Sequence, residues 1–119
     1  MTASAPSAIK DYSLLIDGTS VPARSGKTFE TVSPTTNQTI GRVPLAGVAD
    51  AELAVQAARR AFDEGPWPSW TPLERSRALH RVAGLLRGRL DEIARLESHN
   101  CGKIIVESRA DVTASANCF

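Results

Sequence analysis

No apolar run in this 119-residue chain is long enough to cross a bilayer, so a membrane-spanning role is excluded at the outset. Excess charge is equally scarce. The formal net charge is +1, which leaves no basic surplus to neutralise a row of phosphates. Nucleic acid, anionic membranes and acidic partners therefore gain no electrostatic support. Cysteine is limited to Cys101 and Cys118, too few for a disulfide framework, and zinc ligands at useful spacing are missing. Met1 to Lys10 is small and polar, with Thr2, Ser4, Pro6 and Ser7, and lacks a charged-then-apolar export pattern. The expectation is a disordered tail over 1–12, a cytoplasmic protein and two reduced thiols. Internal repeats are absent.

What remains is the composition of an ordinary soluble domain, 42% hydrophobic and 23% charged. Its first half reads as extended chain. Leu14-Leu15-Ile16 and Val21 flank Asp17-Gly18, a pair suited to a hairpin turn in which both residues need positive φ. Ser25-Gly26-Lys27 marks another turn. Phe29 and Val32 bracket a strand that stops at Ser33-Pro34, where proline removes a donor and disfavours helix before it. Asn37 is the candidate left-handed residue of the next turn, and Ile40, Val43 and Leu45 mark a further strand. A small antiparallel sheet is the expected product.

The second half reads as helix. Asp50 to Glu64 is alanine-rich, with Leu53, Ala57, Ala61 and Ala54, Ala58, Phe62 in adjoining rows. Asp50 is the candidate cap and Gly65-Pro66 the stop. The two tryptophans of Trp67-Pro68-Ser69-Trp70 are expected to anchor an irregular loop. Thr71-Pro72-Leu73-Glu74 combines a capping box with proline at the first helical position. Leu79, Val82, Leu86, Leu90, Ile93 and Leu96 then recur as an apolar stripe, with Gly84 and Gly88 inside it marking either a break near Gly88 or a close helix contact, and Asn100-Cys101-Gly102 the end. A last helix from Lys103 or Ile104 carries Ile105, Val106, Val112 and Ala116 and is still running at Phe119, without a glycine stop. The fold class is thus α+β: small antiparallel β hairpins followed by three or four helices.

This order of elements resembles the start of the aldehyde dehydrogenase family. The resemblance is carried by Leu15-Ile16-Asp17-Gly18, Ser25-Gly26-Lys27-Thr28-Phe29, Ser33-Pro34-Thr35-Thr36, Ala57-Ala58-Arg59-Arg60-Ala61-Phe62, the Trp67-to-Arg75 loop and cap, and Leu96-Glu97 leading to Gly102-Lys103. It implies that residues 13–119 are the N-terminal portion of the cofactor-binding domain of an α/β enzyme whose Rossmann-like core is absent here. The complete family enzyme is an oxidoreductase that turns an aldehyde, NAD or NADP and water into a carboxylic acid, and is expected to be a homo-oligomer. Its catalytic cysteine, general-base glutamate and oxyanion-site asparagine lie further along, so the resemblance assigns no catalytic or cofactor-binding residue to this chain. Neither NAD nor NADP is expected to bind the fragment alone, which is predicted inactive. Two residues answer to a family site for a monovalent cation, Val32 through its carbonyl and Asn100. Asn100 stands where members often carry an aspartate, so it offers an oxygen without a charge. Asn37 replaces a frequent glycine, and asparagine tolerates the same turn.

Other features have plainer explanations. His99 and Cys101 are too close along a helix to face each other, so Cys101 reads as a small buried thiol rather than a nucleophile, and Cys118 as packing. His80 lacks a second ligand at a helical offset. The arginines between Arg75 and Arg95 alternate with acids, and an Asp91–Arg95 pair one turn apart is expected. Lys103 follows a helix C-terminus, where a cation is favoured. A second functional reading is a non-enzymatic remnant or interaction module that packs with a related full-length chain or with itself, because the apolar faces of the last two helices lack a complete core.

Overall fold

The structure, a computed structural model, describes residues 9–119. The described chain divides into two compact units, the boundary falling between Ala58 and Arg59.

In the first unit, strands β2 (Leu14–Ile16) and β3 (Thr19–Val21) form the expected hairpin, pairing Leu14 with Val21 and Ile16 with Thr19. Asp17 and Gly18 both take positive φ, 54° and 71°, the twist that a two-residue turn between right-twisted strands requires. A separate sheet has the order β1-β5-β4. Here β4 (Thr28–Val32) runs antiparallel to β5 (Thr39–Pro44), with an irregularity at Thr31/Val32. The intervening turn closes through the Asn37 N–H on the Ser33 carbonyl (2.8 Å) and the Ser33 N–H on the Gln38 carbonyl (2.9 Å). Asn37 sits at φ 55°, as its turn position predicted.

Two expectations are corrected. The strands form two sheets rather than one. In addition, β1 (Lys10–Asp11) pairs in parallel with β5, so regular structure reaches into the stretch 1–12 read as a tail. Residues 1–8 of that stretch lie outside the described residues. The two-residue β1 has no hydrophobic alternation, so only its partner strand makes it a strand. Gly41 lets this happen: a Cβ there would lie 2.8 Å from the Tyr12 ring and 3.2 Å from the Lys10 carbonyl oxygen. Arg42, flanked in register by Asp11 and Glu30, lies 3.7 and 3.5 Å from their carboxylates.

Helix α1 (Val48–Asp63) starts two residues before Asp50. Asp50 does satisfy amides, but from inside the first turn. Its Oδ2 accepts the Gly47 N–H at 2.9 Å and its Oδ1 accepts the Arg24 N–H at 3.0 Å. A carboxylate at the third helical position reaches back to the amide before the helix, which is one half of a capping box. Asp50 is thereby 4% exposed and ties the segment after β3 to the helix start.

The second unit opens with a 3-10 turn at Trp67–Ser69, regular structure where irregular loop was expected. The Trp67 and Trp70 rings tilt against each other, with centroids 5.4 Å apart. Helix α2 (Pro72–Gly88) begins with the predicted capping box: Thr71 Oγ1 accepts the Glu74 N–H at 3.3 Å, and the Glu74 carboxylate accepts the Thr71 N–H at 2.7 Å. The break near Gly88 is present, with Arg89 at φ −115° and ψ 19° separating α2 from α3 (Leu90–Cys101). Gly102, at φ 73°, ends α3. Helix α4 (Ile105–Asn117) closes two residues before Phe119, and Arg87 reaches across to its last turn, bonding the Ala116 carbonyl (3.3 Å) and Asn117 Oδ1 (2.9 Å).

These helices meet through small side chains. Ala83, Ala94, Ser108, Val112 and Ala116 are the buried residues of α2, α3 and α4, and Ser108 is fully enclosed. Its hydroxyl lies 2.9 Å from that of Ser98, which pairs the only polar atoms carried into the α3–α4 contact by these two serines. Losing that bond in Ser108→Ala should cost about 1 kcal/mol. Ser108→Leu should cost more, roughly 1–3 kcal/mol, because a larger side chain forces the helices apart. Urea unfolding of the two variants measures the difference, and equal stabilities would contradict this packing.

Asp50 yields a prediction on pH. Its pKa is lowered below the ordinary 3.8, first by the Gly47 N–H and then by the Arg24 N–H. A depressed carboxylate pKa stabilises the fold above its unfolded value and loses that effect as pH falls through the lower folded value. The chain should therefore destabilise below about pH 4, and Asp50→Asn should flatten that acid limb while melting earlier at neutral pH, as followed by circular dichroism.

Candidate functional site

The two residues singled out for a cation site belong to different units. Val32 is the last residue of β4 in the first unit and is 42% exposed. Asn100 lies in the final turn of α3 in the second unit, on an exposed stretch with His99 and Cys101. Gly102 adopts its left-handed conformation to stop the helix, and the chain reverses into α4.

Around this turn the structure gathers charge. Lys103 Nζ bonds the Asp111 carboxylate and lies 3.8 Å from Glu97 Oε1, joining the end of α3 to the second turn of α4. The Asp111 bond raises the Lys103 pKa above its ordinary 10.5, with Glu97 adding a smaller push in the same direction. Lys103 is thus positively charged at every physiological pH and engaged with acids, as a structural role requires. Exposed ion pairs of this kind contribute little stability each.

Beside this cluster runs an open groove of about 220 Å³, lined by Leu86 of α2, Ile93 and Glu97 of α3, and Asp111, Val112 and Ser115 of α4. Its lining combines three apolar side chains, Leu86, Ile93 and Val112, with the carboxylates Glu97 and Asp111 and the hydroxyl of Ser115. Among the described residues, no three His, Cys, Asp or Glu side chains gather in a way that could hold a metal ion.

Both thiols are free and exposed, which corrects the reading of Cys101 as buried and of Cys118 as packing. Cys101 falls in the last turn of α3, and Cys118 follows the end of α4, so neither is carried into the contact between those helices. His80 is exposed, with Nδ1 3.1 Å from the Ser76 carbonyl one turn earlier, a bond it donates in the Nδ1-protonated form. Asp91 accepts a bond from Arg109 of α4 at 2.8 Å rather than from the expected Arg95. That partner, the Lys103 bridge and the Ser98–Ser108 pair were not read from the sequence. A signal for Ser108 did exist: it precedes Val112 and Ala116 at intervals of four, on the row of α4 that is buried.

The apolar faces remain largely open. Leu79, Val82 and Leu96 of the expected stripe are 37%, 40% and 53% exposed, and Leu85, Ile104 and Val106 are 68%, 64% and 68% exposed.

The chain is 39% identical over 112 residues to aldehyde dehydrogenase family 2 member C4 of Arabidopsis thaliana, an alignment covering 93% of this chain and 22% of that protein. The structure of the NAD-dependent aldehyde dehydrogenase from Sinorhizobium meliloti matches with a TM-score of 0.87 at 42% identity, covering 92% of this chain and 22% of that one. Betaine aldehyde dehydrogenase from Staphylococcus aureus, solved in complex with NAD+, matches with a TM-score of 0.83 at 33% identity over 87% and 21% of the two chains. The chain therefore spans about 22% of the length of such relatives. A sequence model of the aldehyde dehydrogenase family covers residues 21–119, and with these likenesses it establishes that the chain belongs to the aldehyde dehydrogenase family.

Proposed function

We propose that residues 13–119 are the N-terminal portion of the cofactor-binding domain of an NAD(P)-dependent aldehyde dehydrogenase. The whole polypeptide would convert an aldehyde, oxidised cofactor and water into a carboxylic acid, reduced cofactor and a proton. The match to the Sinorhizobium meliloti enzyme over 92% of this chain carries the reading. The chemistry needs a thiolate to add to the aldehyde carbon, a nicotinamide to accept the hydride, and a base to activate water against the resulting thioester. The contribution of this segment is structural: strands and helices that pack on the parts holding those groups. The NAD+ complex of the Staphylococcus aureus relative supports a nicotinamide cofactor, NAD or NADP. A homo-oligomeric cytoplasmic enzyme completes the proposal, and within the structure no helix is long and apolar enough to cross a membrane.

The 119 residues alone are expected to oxidise no aldehyde. Incubating the purified chain with acetaldehyde and NAD or NADP, and following absorbance of the reduced nicotinamide, should give the blank rate. Turnover above blank would overturn the purely structural role proposed for this segment.

Val32 and Asn100 are proposed to contribute oxygens to a monovalent cation site in the whole enzyme. Their donor chemistry fits a weakly held hard ion, since a carbonyl and an amide provide oxygen without charge. Replacing choline chloride with potassium chloride at constant ionic strength should raise the enzyme's melting temperature, and Asn100→Leu should abolish the rise. A rise that persists in Asn100→Leu refutes the site.

The open apolar faces favour a second reading, in which the chain acts by docking onto a related full-length enzyme or onto itself. Size-exclusion chromatography separates the two readings. Under the docking reading the chain co-elutes with a family enzyme or elutes as a dimer, whereas a monomer that ignores the enzyme leaves only the first.

A further inference from the structure

We draw no further inference here: the strongest candidate, the open groove between α2, α3 and α4 lined by Leu86, Ile93, Glu97, Asp111, Val112 and Ser115, is an unpartnered face whose Asp111 is already bonded to Lys103, and nothing in the structure shows what covers it.

Discussion

Close approach between helices α2, α3 and α4 rests on side chains too small to hold them apart. Alanine at 83, 94 and 116 and serine at 108 occupy the enclosed positions, and Val112 is the largest residue among them. Small residues bring backbones together but bury little apolar area, and burial is what stabilises a helix cluster. Each buried large aliphatic side chain would contribute roughly 1.5–3 kcal/mol, and in this unit the leucines remain half-buried or exposed. The helices are thus accurately placed against one another over an interior that is thin for their length.

That constraint explains the prominence of polar fasteners. Arg87 bonds the last turn of α4, Arg109 bonds Asp91, and Lys103 bridges to Asp111, so that each helix of the second unit is tied to another by a charged side chain. In the first unit Asp50 performs the equivalent task with backbone amides. The exposed ion pairs among them add little free energy each. Leu85 of α2, Leu96 of α3, and Ile104 and Val106 at the start of α4 are large apolar side chains left exposed.

Much of this was legible along the chain, for local reasons. The hairpin at Asp17-Gly18, the left-handed Asn37, the capping box at Thr71, the break near Gly88 and the stop at Gly102 each depend on the backbone preferences of two or three neighbouring residues. The misreadings share a different cause. Lys10 and Asp11 become a strand because β5 lies beside them, with Gly41 admitting the Tyr12 ring. Asp91 chooses Arg109 over Arg95 because α4 crosses nearby. Cys101 ends α3 and Cys118 follows the end of α4, and both thiols are exposed at those helix ends.

The family was within reach of the sequence, since an ordered series of turns, caps and breaks at consistent spacing is itself a pattern of local interactions. The amino acids by themselves determined where strands and helices begin and end, because those limits answer to φ preferences and unsatisfied amides within one turn of chain. Which faces close on one another, and which charged groups find partners, was decided only in three dimensions. Residues 18 or 29 positions apart, such as Asp91 and Arg109 or Arg87 and Ala116, meet only after the helices have packed.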